Sequence, residues 1–358
     1  LRLAFYVLIA QLVLSGCAGE AVEETSSSSS SEINFDAYLA RNASTRSEVT
    51  DNTHLKGTGG NSGFGVFARY NYNGKILSLL DTERVTWNKD QNHWEYTNTR
   101  YWPSEGSVDF YAFAPYSDQP KLVSPPNKNE ANPTCIFFPS NVSPIDLVWA
   151  NAKDQTKTNE PVKFTFNHAL ARLGFDITAN QDLEENGAVI KVKEVKLYGA
   201  DEISGVFVMA GYLNLENGAW TLADNGIRWF YTWTPDGKVD GNENVNEKDG
   251  TVLKLSASQL DHEHDIITND ADSYIFIIPQ VKYFPFYLQI TYKVKQGDFE
   301  EEVTVRKNLL DVRNPPGDPN PSFSFEMGKA YVFHLKLSLD PINFNVTNDV
   351  EPWKGGER

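Results

Sequence analysis

Apolar residues recur at every second position along most of this chain. In SVDFYAFAP the row Val108, Phe110, Ala112 alternates with Asp109, Tyr111, Phe113. The same period of two runs through VKFTF at 162–166, VIKVKEVKLYG at 189–199, SYIFIIP at 273–279, FYLQITYKVK at 286–295 and AYVFHLKLSL at 330–339. An extended strand points successive side chains to opposite faces, so this period predicts half-buried strands, each closed by nearby Gly, Pro, Asn or Asp. Many short strands with turn chemistry between them, and no strand-helix alternation, predict an all-β fold of stacked antiparallel sandwiches. One segment reads as helix-like, HALARLG at 168–174, and it is short. The chain is longer than one core usually organises, so two β-sandwich domains in tandem are expected. The polar stretch ANQDLEENGA at 179–188 is the candidate junction, giving domains at 47–180 and 181–358, although a polar hairpin there would look the same.

The first residues break the pattern. Leu3 to Leu14 are almost wholly apolar, follow Arg2 and end in small residues, the outline of a secretory signal peptide over 1–16 and too short for a comfortable membrane span. Leu14-Ser15-Gly16-Cys17 resembles a bacterial lipobox, which makes Cys17 the expected lipid attachment site and an outer-membrane anchor. Each buried acyl methylene contributes roughly 0.8 kcal/mol, so several chains on one cysteine hold a domain at a bilayer. The alternative is an ordinary cleaved signal with an incidental cysteine. Residues 17–32, with Glu20, Glu23, Glu24 and the run Ser26 to Ser31, have the composition of a flexible tether.

Charge and cysteine count narrow the function. A net charge of −16 argues against nucleic acid or an acidic membrane face as partner. With Cys17 lipidated, Cys135 has no disulfide partner and reads as a small buried hydrophobe on a strand.

Several motifs in order carry a resemblance. SEINFDAYLARNASTRSEVT, FGVFARY, RYWPSEGSVDFYAFAPYS, DLVWANAKDQT, VKFTFNHALARLGFDI and GKAYVFHLKLSLDPINFNV with the later Trp353 resemble the fimbrillin family, the Mfa-like fimbrial proteins of Bacteroidales. The resemblance runs from Ile33 to Trp353. It implies two transthyretin-like sandwiches and a subunit of a type V pilus on the cell surface, whether stalk, anchor or tip. It also implies assembly in which an arginine-specific protease removes an N-terminal strand and another fimbrillin subunit supplies a replacement. The residues supply the pieces. Within 33–46, Ile33, Phe35, Ala37 and Leu39 form one apolar row able to fill a groove, and Arg41 and Arg46 follow in a polar segment. Cleavage after Arg46 is expected from the family's Thr-Arg-small context, with Arg41 the alternative and plain solvated arginines the other reading. In PINFNVTNDVEPW, Ile342, Phe344 and Val346 alternate with polar residues and Trp353 ends the segment. That row suits a donor strand, and equally a last strand folded back on its own sheet.

Other chemistry is discounted. Asp236, Asp240, Gly241 and Glu247 occupy EF-hand positions, but Lys238 takes a ligand position and no helices flank the loop. His262 and His264 share a strand face, yet their acidic neighbours read as a polar turn. His168 reads as a satisfied structural histidine. No nucleophile stands beside a base, so neither enzymatic activity nor a cofactor nor a metal is expected. A competing function is glycan binding through ring clusters at Trp87, Trp94, Tyr96, Tyr101 and Trp102 and at Trp229, Phe230, Tyr231 and Trp233, although large rings are more often core. A host or bacterial surface ligand is the corresponding partner.

Overall fold

The computed structural model describes residues 31–39, 52–57, 62–139, 145–179, 187–199, 206–223, 228–235, 250–254, 259–260, 266–267, 275–314, 317–338 and 345–352. Cys17, Arg41, Arg46, the 236–247 loop, His262, His264, Ile342, Phe344 and Trp353 lie outside them.

The chain is all-β. Its first part contains β1 (Phe35–Leu39), β2 (Phe64–Tyr72), β3 (Lys75–Asn88), β4 (His93–Glu95), β5 (Ser107–Ala114), β6 (Leu122–Val123), β7 (Cys135–Pro139), β8 (Val148–Gln155) and β9 (Val162–His168). The second part begins with β10 (Ala171–Ala179), β11 (Val189–Tyr198), β12 (Phe207–Val208), β13 (Ala210–Asn214), β14 (Trp220–Leu222), β15 (Arg228–Thr234), β16 (Gly250–Lys254), β17 (Gln259–Leu260) and β18 (Ile266–Ile267). It closes with β19 (Ile275–Ile277), β20 (Gln280–Lys282), β21 (Tyr287–Gln296), β22 (Phe299–Asn308), β23 (Phe323–Phe325), β24 (Lys329–Leu337) and β25 (Asn345–Pro352).

Seven strands in the order β1-β9-β8-β5-β2-β3-β4 make the first large sheet. Its buried face carries Phe64, Val66, Phe110, Ala112, Phe164 and Phe166. In the second part a sheet ordered β18-β10-β24-β25 faces one ordered β12-β15-β11-β21-β22. Between them lies a core of Leu173, Phe175, Tyr331 and Phe333 against Ile190, Leu197, Trp233 and Ile290, with Phe175 edge-on to Trp233 at 5.0 Å.

Two features differ from the sequence expectation. The sheets are mixed, not purely antiparallel: β1 runs parallel to β9, β10 to β24 and β15 to β16. Two of these pairs join strands far apart in sequence, so no local crossover helix announces them. The helix-like HALARLG is strand: His168 ends β9 and Ala171 opens β10, with Ala169 and Leu170 buried between. The chain there passes between two apolar clusters, and burial on both sides imitates a helical apolar spacing. The change of sheet comes between His168 and Ala171.

A third cluster joins the parts. β5 is buried on both faces because Phe110 and Ala112 enter the first core while Tyr111 and Phe113 enter a cluster with Phe67, Ile136, Leu170, Leu213 and Phe276. Over it lies a sheet ordered β14-β13-β7-β6, in which Cys135–Pro139 of the first part pairs antiparallel with Ala210–Asn214 of the second. Gly218, at φ +75°, turns the β13-β14 hairpin against Trp149, and a Cβ there would stand 2.3 Å from the indole. Gly218→Ala is expected to cost about 1–3 kcal/mol through strained backbone and overpacking, read as a lower denaturation midpoint.

Candidate functional site

The apolar row at the start of the chain fills a slot in the first sheet. Ile33, Phe35, Ala37 and Leu39 are buried, while Asn34, Asp36 and Tyr38 between them are exposed. β1 lies parallel to β9 at the sheet edge, with Phe35 opposite Val162 and Leu39 opposite Phe166. The backbone N–H of Val162 donates to Asn34 O at 2.8 Å.

The residues just before β1 are held from another side. Ile33 N donates to Arg100 O at 2.8 Å and Trp102 N donates to Ser31 O at 3.0 Å, so 31–33 pairs with 100–102 before the chain crosses to β9. Tyr96 sits at the crossing: its hydroxyl donates to Ile33 O at 2.8 Å and accepts from Arg100 N at 3.0 Å. Burial, more than the nearby Glu83 and Glu32, holds that hydroxyl above the ordinary tyrosine range. At the far end Leu39 N donates to Asn52 Oδ1 at 2.9 Å. That bond ties Leu39, before the arginine-bearing segment 40–51, to Asn52 after it.

Phe35 anchors the row. Its ring meets Tyr96 at 5.3 Å, Phe110 at 5.7 Å, Phe164 at 5.8 Å and Phe64 at 6.4 Å. Fully burying a large apolar side chain stabilises by roughly 1.5–3 kcal/mol, and Ile33, Phe35 and Leu39 are three such side chains in one short segment. That is comparable to the whole net stability of many domains, about 5–15 kcal/mol. An emptied slot would leave the first core short of what keeps it folded.

Of the ring cluster Trp87, Trp94, Tyr96, Tyr101 and Trp102, Trp94 and Trp102 are buried, Trp87 and Tyr96 pack on the same core, and Tyr101 is exposed. Tyr231 and Trp233 are likewise core. The candidate donor row divides. Val346 is buried in the second core, and β25 pairs antiparallel with β24 from Lys336 opposite Asn345 to Lys329 opposite Pro352. In this structure the last strand is folded back on its own sheet. Cys135 is buried on β7 with its thiol pushed up, chiefly by burial. Among the described residues no group of three His, Cys, Asp or Glu is placed to hold a metal, and no helix is long and apolar enough to cross a membrane.

Taken together, these observations define an all-β protein whose first sheet is edged by its N-terminal strand, with that strand's apolar row buried in the core. A sequence profile described as fimbrillin-like matches residues 45–353, and the chain belongs to that family of structural and adhesive proteins. Its fold is similar to a fimbrial protein of Bacteroides vulgatus, with 20% identity, a TM-score of 0.60 and coverage of 90% of this chain and 99% of that one. A tip fimbrial protein of Porphyromonas gingivalis, Mfa3 with C-terminal truncation, matches at 11% identity and a TM-score of 0.35, over 81% of this chain and 93% of that one. No curated protein matches the chain.

Proposed function

We propose that this chain is the precursor of a subunit of cell-surface fimbriae, exported on a lipid-bearing Cys17 at the outer membrane and assembled by strand exchange. Its two parts are read as transthyretin-like sandwiches. An arginine-specific protease cuts after Arg46, or after Arg41, and β1 with its preceding residues leaves. A strand from another fimbrillin subunit then occupies the slot. The observation that carries this reading is the slot itself: a short edge strand whose apolar row, with Ile33 just before it, is buried, followed along the chain by the segment that holds both arginines. Edge strands pair readily with foreign strands, and alternate side chains filling pockets give selectivity.

A second observation supports the donor assignment. The tripeptide Ile33-Asn34-Phe35 recurs as Ile342-Asn343-Phe344, followed by Asp36-Ala37 in one place and Asn345-Val346 in the other. The C-terminal segment therefore repeats the order in which the plug presents its side chains, with Trp353 as a terminal anchor. Donation requires β25 to leave β24.

Full-length protein treated with an arginine-specific protease should acquire Ser47 as its new N-terminus by mass spectrometry and form a ladder on non-reducing electrophoresis. Arg46→Ala should abolish both, or shift the cut to Arg41. A cut protein that stays monomeric with its slot still filled would sink the strand-exchange reading.

A further inference from the structure

At the front of the slot the plug, the buried row led by Ile33, leaves a polar group unmet. Glu32 and Tyr101 pair as an isolated antiparallel bridge, and Trp102 N donates to Ser31 O at 3.0 Å, so Ser31 stands opposite Trp102. Opposed residues of an antiparallel pair put their side chains on one face. That face turns inward: Glu32 and Tyr101 are exposed, whereas Trp102 is buried, its ring edge-on to Phe110 at 5.8 Å. Two polar side-chain atoms are shut away from solvent here, Trp102 Nε1 and Ser31 Oγ, and neither has a hydrogen-bond partner among the described residues. An indole N–H can only donate, so burial without an acceptor is costly.

We propose that Trp102 is the residue by which the slot selects its incoming strand, through an acceptor side chain that the plug lacks. The occupant is the C-terminal segment of a second copy of this chain, seated in the direction of β1, and to that extent the inference rests on the strand-exchange reading. Setting Ile342-Asn343-Phe344 on Ile33-Asn34-Phe35 brings Val346 to the place of Ala37 and Asp340 to the place of Ser31. Asp340, like Ile342 and Phe344, lies outside the described residues, so its place in the slot follows from that register alone.

The exchange of side chains is chemically directed. An aspartate carries its oxygens one bond farther from the backbone than a serine hydroxyl, and when ionised it only accepts, which complements a group that only donates. Hydrogen bonds to an ionised partner are also the stronger kind. The donor thus satisfies a buried group that the plug leaves unmet, and Val346 fills more space than Ala37. At the far end the comparison runs the other way, because Leu39 is matched by the polar Asn348. Selection therefore falls on the front of the slot, at Trp102.

Peptide binding to the full-length chain, cut by an arginine-specific protease, tests the proposal. A labelled peptide spanning Ser338 to Val350 is compared with its Asp340→Asn and Asp340→Ala forms by fluorescence polarisation. Asp340→Ala should weaken binding about tenfold, the scale of a hydrogen bond to a charged group, and Asp340→Asn, which keeps an acceptor oxygen, should lose less. A Trp102→Phe chain, which lacks the indole N–H and keeps a ring, should bind all three peptides alike. Equal binding of the wild-type and Asp340→Ala peptides to the wild-type slot overturns the proposal, and that comparison needs no protein variant to fold. A preference for the wild-type peptide that survives in Trp102→Phe overturns it too. A slot that takes none of the peptides overturns the strand-exchange reading, and the proposal with it.

Discussion

Phe35→Ala is expected to remove about 3–5 kcal/mol of stability from the uncut chain, the usual cost of deleting a buried aromatic ring from a packed core. The ring is enclosed by Phe64, Tyr96, Phe110 and Phe164, and the two-sided backbone clamp on its segment limits how far the slot can collapse around the void. Denaturant unfolding followed by intrinsic tryptophan fluorescence would measure it, because Trp94 and Trp102 lie in the same core. The strand-exchange reading adds a control. Once cut after Arg46, mutant and wild-type chains are the same molecule, so assembled material from the two should be equally stable. A difference persisting after cleavage would mean that residue 35 stays with the assembled protein.

Asp146→Ala should cost a similar amount. Asp146 is buried and its Oδ1 lies 2.9 Å from Nδ1 of His168, itself 8% exposed, where β8 begins and β9 ends. Removing one member of a buried polar or charged pair takes a compensating partner from the other, typically at a cost of about 3–5 kcal/mol. The neighbours Leu147, Ala169 and Leu170 belong to the cluster shared by the two parts, and Trp220 Nε1 donates to Ala169 O at 2.8 Å. The loss should therefore lower the unfolding midpoint of both parts together. Unfolding of the first part alone, with near-ultraviolet circular dichroism of the second unchanged, would show that the pair is local to one sheet.

What could be seen in the sequence was whatever repeats locally. The period-two rows at Val162–Phe166, Ile190–Leu197 and Leu288–Val294 became strands, and Ile33 to Leu39 became a buried row with exposed residues between. Partner choice is not local, and there the pattern was silent. Nothing about Phe35 indicates that it runs parallel to a strand over a hundred residues later, or that Cys135–Pro139 pairs with Ala210–Asn214 across the presumed junction. The slot's clamps were hidden for a related reason. Tyr96 and Trp102 are conspicuous as rings, but a ring's side of the sheet depends on curvature that composition does not encode, so the sequence leaves open whether they form core or an exposed platform.

The antiparallel ladder between β7 and β13 has a mechanical consequence. Because strands from the first and second parts share one sheet over a common apolar cluster, any hinge between the parts would have to break main-chain hydrogen bonds and expose buried rings. Each subunit should therefore rotate and translate as one stiff bead. In a fibre built from such beads, bending under flow would be concentrated at the joints between neighbours.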